Sequence, residues 1–211
     1  MEPTQANQAL HILERMIVFD ELDSHRMYSE KEIAALLGIG RTPVREALQR
    51  LAYNKIAFIH PRRGVMFPKV TVEQQLKMLE VRRGLEPQCA KFAAMRGSLE
   101  EKQRMLLLAD AFLEAGEKNE ERVVLECLRE SHELLVEAAH NEYFPLTMGP
   151  VQSLSRRFWF INKKSVDNQI GAERHAEIMQ NVGRGNADQA MVASVRLLDY
   201  LADFAFGTLK S

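Results

Sequence analysis

Two short helical patterns around a glycine turn, between Met27 and Leu51, constrain this 211-residue chain more than any other feature. Ser29 and Glu32 have the spacing of a capping box, in which each side chain satisfies a backbone N–H at a helix start. Four apolar residues then follow at helical spacing: Ile33, Ala34, Leu36 and Leu37. Gly38 is able to end that helix in a left-handed conformation, and Pro43 is tolerated in the first turn of the next. The stretch therefore predicts a helix-turn-helix.

The second of these helices separates its apolar and polar side chains onto opposite faces. Its apolar side consists of Val44, Ala47, Leu48 and Leu51, and its polar side of Arg41, Thr42, Arg45 and Gln49. Guanidinium groups fit guanine edges or phosphates, and an amide fits adenine. An ordinary solvated helix carries similar residues, so this pattern alone leaves both interpretations open.

The segment after this helix adds a basic hairpin. Apolar runs at residues 56–60 and 65–68 flank a turn that contains Arg62 and Arg63, which is typical of a β-hairpin with a charged tip. Residues 24–70 hold nine Lys and Arg against three Asp and Glu, whereas the whole chain has a net charge of -1. Positive charge is thus concentrated where DNA phosphates would lie. We predict a winged helix-turn-helix domain over residues 1–70.

Residues 71–211 show no convincing strand pattern and predict a second, all-helical domain. Pro68 and the change of hydrophobic period place the boundary near residue 70. Caps and periodicity predict six helices, over residues 71–96, 98–117, 119–139, 143–164, 166–183 and 186–208. Gly149 and Pro150 predict a break or kink in the fourth of these helices. The expected fold class is mainly α, with one small β-hairpin.

Composition narrows the classes of protein to consider. The chain is 46% hydrophobic, which suffices for a sizeable core. No apolar run approaches the ~20 residues of a membrane helix, and residues 1–20 lack the features of a signal peptide. We therefore expect a cytoplasmic protein with no membrane contact, in which Cys89 and Cys127 are buried and reduced. No HExxH or nucleophile motif is present, so an enzyme is not expected.

The strings SEKEI at residues 29–33 and RTPVREAL at residues 41–48, with Gly64 in the wing, closely resemble the signature of GntR-type bacterial transcription regulators. That resemblance implies operator contacts from Lys31, Arg41, Thr42, Arg45 and Gly64. The residues themselves add Gln49, Arg62 and Arg63 to the expected DNA-binding set. Two departures are visible, because Lys31 stands where arginine is usual and Gly40 where serine or threonine is usual. Losing the hydroxyl at position 40 removes a phosphate contact or a helix cap.

The helical half resembles the FCD domain of the GntR subgroup named for the fatty-acid regulator FadR. The resemblance lies in residues 80–86, 131–141 and 175–190, and six helices are similar to the shorter, VanR-like branch. It implies a homodimer that represses transcription from an inverted-repeat operator under the control of a small effector. The alternative is a DNA-binding protein whose C-terminal domain only dimerises and is degenerate and ligand-free.

Many FCD domains hold a divalent metal, zinc- or nickel-like, with one aspartate and three histidines, and the metal helps to bind a small carboxylate. By resemblance His132 and His175 match two of these ligands, whereas Leu128 and Leu197 stand at the other two positions. Two imidazoles make a poor metal site unless water, the effector or an unexpected side chain such as Glu133 completes it. No cofactor is therefore certain, and we favour a metal-free site over a metal held by His132 and His175.

A carboxylate effector would then need a positive charge in the bundle. Arg82 is the best candidate and Arg157 the second, beside His132 and His175. Each arginine has an ordinary alternative, which is a surface or interhelix salt bridge. The two leucines favour the ligand-free alternative for the domain, and the inward-facing histidines and Arg82 count against it.

Overall fold

The structure is a computed structural model that describes residues 4–210. Within these residues the protein is mainly helical, with nine α-helices and a single two-stranded antiparallel sheet. The chain divides into two compact units, Met1–Val70 and Thr71–Ser211. The predicted fold class is confirmed.

The first unit, here the winged unit, has three helices followed by a hairpin. Its elements are α1 (Gln5–Val18), α2 (Glu30–Leu37), α3 (Arg41–Tyr53), β1 (Phe58–His60) and β2 (Gly64–Met66). The two strands pair in register, with Phe58 opposite Met66 and His60 opposite Gly64. Fully buried apolar side chains from all three helices and the segment after β2 form the core: Leu13, Ile17, Ile33, Val44, Leu51 and Phe67.

The turn between α2 and α3 forms as its residues dictate. The Ser29 hydroxyl accepts a hydrogen bond from the Glu32 N–H, and the Glu32 carboxylate accepts one from the Ser29 N–H, so the predicted capping box is confirmed. Gly38 ends α2 with φ of 64°, a left-handed conformation that glycine adopts at little cost. Leu36, expected on the apolar face, is 55% exposed, because this eight-residue helix buries only Ile33 and Ala34.

The second unit, here the helical unit, consists of six helices and a short terminal turn. They are α4 (Val72–Arg96), α5 (Leu99–Glu117), α6 (Glu121–Ala138), α7 (Tyr143–Asn162), α8 (Ser165–Gly183) and α9 (Ala187–Gly207), with a 3-10 turn at Thr208–Lys210. Every predicted helix is present. The Thr71 and Ser98 side chains cap the starts of α4 and α5.

Helix α7 corrects one prediction. A break or kink was expected at Gly149 and Pro150; the helix runs without interruption through both residues, so the break is wrong and the kink stays a prediction. An interior proline removes one backbone donor and costs ~3 kcal/mol. The flanking residues Met148, Gln152 and Ser153 are buried, so packing of the neighbouring turns outweighs this local cost.

The expectation that both cysteines are buried is met. Cys89 and Cys127 are buried and unpaired, and burial raises the pKa of both thiols, that of Cys127 to about 11. Among residues 4–210, no helix is both long enough and apolar enough to span a membrane.

Candidate functional site

The winged unit brings most of the predicted DNA-binding residues to one concave surface between α2, α3 and the hairpin. Its lining includes Lys31, Arg41, Arg45, Arg62, Arg63 and Gly64. Thr42 and Gln49 are exposed on α3 but lie outside this concavity, and Gln49 lines a neighbouring depression with Arg50 and Tyr53. We call the concave surface the basic face.

The basic face contains an ion pair that the sequence did not reveal. The Arg45 guanidinium donates to the Glu30 carboxylate, from Nε at 3.1 and 3.0 Å and from Nη2 at 2.7 Å. The hydrogen bond from Arg45 lowers the pKa of Glu30 below its usual range. Fifteen positions separate the two residues, so no helical spacing rule relates them. Exposed pairs contribute little stability, so the main consequence is that Glu30 orients the arginine fork.

The wing depends on close backbone packing at Gly64. Its φ is 118°, and a Cβ atom there would lie 2.4 Å from the Tyr28 carbonyl oxygen. Tyr28 and Val65 exchange two backbone hydrogen bonds, of 2.9 and 2.8 Å, across this approach. Gly64 is therefore required for the hairpin to pack, whatever it contacts on DNA. Arg62 at the tip also has a left-handed φ, of 62°, which is uncommon for a residue other than glycine.

The helical unit encloses a small cavity of about 20 Å³ between five of its helices. The cavity is lined by Arg82 of α4, Leu128 and His132 of α6, Ser155, Arg156 and Trp159 of α7, Gly171 and His175 of α8, and Tyr200 and Leu201 of α9. It thus brings together Arg82, His132 and His175, three of the residues expected to bind an effector; their role in binding stays a prediction. We call it the central cavity.

His175 has a fixed orientation in the central cavity. Its Nδ1 donates to the Gly171 carbonyl oxygen at 2.8 Å, because a carbonyl can only accept. Its ring stacks on Phe112 with centroids 5.5 Å apart. Burial lowers the pKa of His175 to about 4, although the bond to Gly171 opposes this shift. The residue is therefore neutral at pH 7, with its Nε2 lone pair available.

His132 has the opposite tautomer, and Arg156 imposes it. The Arg156 Nη1 lies 3.1 Å from His132 Nδ1; since a guanidinium cannot accept, Nδ1 must be the acceptor and the ring proton is on Nε2. Burial, followed by the charges of Arg156 and Arg82, lowers the pKa of His132 well below its usual value. His132 Nε2 is buried and makes no hydrogen bond to any part of the chain that the structure describes. The ring therefore contributes an unsatisfied N–H donor.

Arg82 already has a counter-charge. Its Nε and Nη2 donate to the Glu86 carboxylate at 2.7 and 3.0 Å, and its Nη1 donates to Ser155 Oγ at 2.8 Å. Gln75 Nε2 also donates to Ser155 Oγ, at 2.9 Å. Glu86 was not selected from the sequence, although its spacing of four from Arg82 is that of a helical ion pair.

Arg157 does not line the central cavity. Its side chain is fully buried, so a surface salt bridge is wrong for Arg157, and the interhelix salt bridge stays a prediction. The neighbouring Arg156, which was not among the predicted site residues, lines the cavity instead. Two consecutive arginines on a helix point about 100° apart, and sequence alone did not indicate which of them lines the central cavity.

The residues present do not fit the four-ligand metal site that the FCD resemblance implies. Leu128 lines the cavity, Leu197 is fully buried, and Glu133 is 54% exposed and pairs with Arg129 at 2.7 Å. His132 presents a proton at Nε2 rather than a lone pair. Within residues 4–210, no group of three or more His, Cys, Asp and Glu side chains is placed to hold a metal ion.

Comparison with known proteins was consistent with this geometry. The profile of the FCD domain matches residues 77–200, and that of the gntR family of bacterial regulatory proteins matches residues 5–67. The chain is 35% identical over 96 residues to the HTH-type transcriptional repressor RspR of Escherichia coli K12, a match that covers 44% of this chain and 42% of RspR. It is 31% identical over 134 residues to the Nta operon transcriptional regulator of Aminobacter aminovorans, covering 63% and 61% of the two chains.

Two solved structures share the fold. E. coli McbR/YncC has a TM-score of 0.83 at 14% identity and covers 98% of this chain and 99% of its own. A GntR regulator from Rhodococcus sp. RHA1, described as putative, has a TM-score of 0.70 at 22% identity and covers 99% of both chains. At these identities the likeness concerns the fold alone.

Proposed function

We propose a function for this chain, which belongs to the FCD-domain family and has the helix-turn-helix of GntR-type transcriptional regulators. It is a transcriptional regulator and not an enzyme. We propose further that it is a homodimeric repressor, acting in the cytoplasm on an inverted-repeat operator and released by a small organic acid bound in the helical unit.

The basic face is the observation that carries the DNA-binding proposal. Arg41 and Arg45 lie in the first turns of α3, the part of a recognition helix that contacts base edges in the major groove. We assign guanine contacts to these arginines and an adenine contact to Gln49. Phosphate contacts are assigned to Lys31, Thr42, Arg62, Arg63 and the backbone of Gly64.

Two further parts of the proposal concern assembly and the sign of control. A two-fold dimer presents two recognition helices related by symmetry, and its operator should then be an inverted repeat. Repression is supported by the name of RspR, which describes that relative as a repressor.

The central cavity supports control by a ligand. Its volume of about 20 Å³ exceeds the ~10–15 Å³ that one water needs, yet it is too small for an organic acid. A ligand of several atoms must therefore move the surrounding side chains or helices. Because it then binds the rearranged state more tightly than this one, it shifts the balance between the two states. That difference in affinity is the physical basis on which an effector changes DNA binding.

Selection from a random duplex library tests the DNA-binding proposal without knowledge of the operator. The purified full chain should enrich sequences that contain an inverted repeat, and binding should weaken steeply with salt. Arg41→Ala should abolish the enrichment, whereas Arg129→Ala, a change at an exposed arginine of α6, should not. A library that stays unenriched at low salt would contradict the proposal.

The ligand-free alternative is favoured by one observation, which is the small volume of the central cavity, whose lining includes Leu128. It predicts that no small acid raises the unfolding temperature, whereas an effector raises stability by mass action. A thermal-unfolding screen with small organic acids decides between the two.

A further inference from the structure

We propose that the central cavity is a metal-independent site for a small aliphatic carboxylate, in which Arg156 holds His132 so that its Nε2–H donates to a carboxylate oxygen. This inference deepens the proposed function and rests on the central cavity being the effector site. It assigns to His132 the role of a hydrogen-bond donor in place of that of a metal ligand.

The proton on His132 Nε2 is the first step of the argument. Arg156 donates to His132 Nδ1 at 3.1 Å and to Ser153 Oγ at 3.1 Å, which fixes both the guanidinium and the imidazole. An imidazole nitrogen that carries a proton has no lone pair for a metal ion. Arg156 thus excludes the metal role of His132 by geometry, and Leu128 and Leu197 remove two of the remaining ligands.

The unsatisfied donor is the second step. A buried N–H without a partner costs about 1–3 kcal/mol, and native proteins rarely retain one without a use. His132 is 6% exposed and lines the cavity, and its Nε2 lacks a partner among residues 4–210. The complementary group is an acceptor oxygen inside the cavity, which has room for one water; a carboxylate that displaces this water must supply the same acceptor.

The neighbouring groups define the class of ligand. Arg156 brings a permanent positive charge to the cavity wall, and charge-assisted hydrogen bonds favour an ionised oxygen over a neutral one. Ser155 accepts hydrogen bonds from Gln75 and Arg82, so its hydroxyl hydrogen is left to donate. The rest of the lining includes Leu128, Trp159 and Leu201, which suit a short carbon chain. Together these features select a small carboxylate with an apolar tail.

Nuclear magnetic resonance measures the tautomer directly and needs no ligand. In the full chain labelled with ¹⁵N-histidine, long-range ¹H–¹⁵N spectra should show His132 protonated at Nε2 and His175 protonated at Nδ1. The His132→Gln variant assigns the His132 signals among the six histidines. Arg156→Lys should keep the His132 pattern because lysine also donates, whereas Arg156→Met should mix the two tautomers. Arg129→Met, at an exposed arginine of α6, is the matched control and should leave the pattern unchanged.

Ligand chemistry is then tested with acetate, propionate and lactate in the presence of EDTA. At least one of them should shift the His132 Nε2–H resonance and raise the unfolding temperature, and Arg156→Met should weaken that binding at least tenfold. Without EDTA, Zn²⁺ and Ni²⁺ should not bind in stoichiometric amounts.

Three results would each overturn the inference: a His132 proton at Nδ1, stoichiometric metal in the wild type, or no effect of any of the three carboxylates. None of these results changes the outcome of the DNA selection, because the selection tests the winged unit independently. Conversely, the selection could fail while the Nε2–H of His132 and carboxylate binding are confirmed. That result would contradict the DNA-binding proposal and would support the carboxylate site.

Discussion

The winged unit and the helical unit differ in the burial of their arginine–glutamate pairs. In the winged unit the guanidinium groups lie on an exposed face, and Arg45 and Glu30 remain 59% and 40% exposed while paired. In the helical unit Arg82 and Glu86 are 2% and 1% exposed, and two neutral histidines line a small cavity with Arg82. An exposed face is ready to bind a large anion, whereas a buried cavity must first rearrange. The proposed function relates this difference to DNA binding by the winged unit and ligand binding by the helical unit.

The largest effect should come from breaking the buried pair. Arg82→Met leaves the Glu86 carboxylate buried without a counter-charge, so the free energy of unfolding should fall by roughly 3–5 kcal/mol. Urea unfolding followed by the fluorescence of Trp159, the chain's single tryptophan, reports on the helical unit.

The double variant Arg82→Met/Glu86→Leu should recover most of that loss. Lys77→Met, which breaks the exposed Glu73 pair at the same spacing of four, should leave the midpoint unchanged. If Arg82→Met is as stable as the wild type, the buried pair contributes no more to stability than an exposed pair does. The two units would then not differ in the energetics of their ion pairs.

The helical unit should also be the acid-sensitive one. The pKa of His175 is about 4 in the folded state, against ~6.5 in an unfolded chain. The folded state binds fewer protons in this window, so its stability is fully present above pH ~6.5 and is lost as the pH falls towards 4, by up to a few kcal/mol. The unfolding free energy of the wild type, measured against pH, should show this slope, and His175→Gln should flatten it.

His11, which is exposed on α1, supplies the control for that experiment. His11→Gln should retain the slope of the wild type. A wild-type profile that stays flat between pH 6.5 and 4 would mean that the buried imidazoles do not couple folding to protonation.

On the basic face, Arg45→Ala should weaken binding to the selected inverted repeat by roughly tenfold or more, because a bidentate base contact supplies that much discrimination. Glu30→Ala should raise the affinity for unrelated DNA and lower the ratio of specific to unspecific binding, since the arginine fork loses its orientation. Fluorescence anisotropy with both duplexes measures the ratio.

Glu46→Ala changes the charge by the same amount on α3 outside the basic face and is the control for Glu30. If Arg45→Ala binds the selected inverted repeat as tightly as the wild type does, Arg45 does not contact the bases of the operator.

The wing arginines should affect all DNA alike. Arg62→Ala/Arg63→Ala should weaken the selected and unrelated duplexes by similar factors and flatten the log–log salt dependence by up to ~0.9 for each phosphate that the variant no longer neutralises. Anisotropy titrations at several salt concentrations give the slope. A weakening confined to the selected sequence would indicate base contacts at the wing.

The smallest effect should come from restoring a helix cap. Gly40 precedes α3 without a side-chain hydrogen bond, and its φ of -59° and the nearest atoms, 3.7 Å away in Pro43, leave room for a side chain. Gly40→Ser should therefore stabilise the winged unit by a few tenths of a kcal/mol. The gain is small because Pro43, third in the helix, has no N–H to be capped. Thermal unfolding of the full chain, with Gly38→Ser as a destabilising comparison, measures it.

The same contrast explains how much the sequence could predict. The bounds of α2 follow from Ser29, Glu32 and Gly38, and the hairpin from two short apolar runs, because caps and turns depend on neighbouring residues. The exposed positions of Arg41 and Arg45 followed from helical phase alone. Their predicted contacts with DNA stay predictions.

The central cavity depends on packing between helices, which local sequence patterns do not determine. It needs the rotation of α7 that places Arg156 rather than Arg157 at the central cavity, and the proximity of α6 and α7 that pairs Arg156 with His132. The continuity of α7 through Pro150 has the same origin, since burial of its flanking turns outweighed a local rule. The pair of Glu30 and Arg45 likewise depends on how α2 lies against α3.

The most direct test of the account is the DNA affinity of the full chain, measured by anisotropy on the selected inverted repeat, in EDTA, with and without the carboxylate that stabilises it. We predict that the carboxylate weakens DNA binding several-fold in the wild type and has no effect in Arg156→Met. If the carboxylate binds the wild type and leaves its DNA affinity unchanged, the two units are not coupled and the proposed control by ligand is wrong.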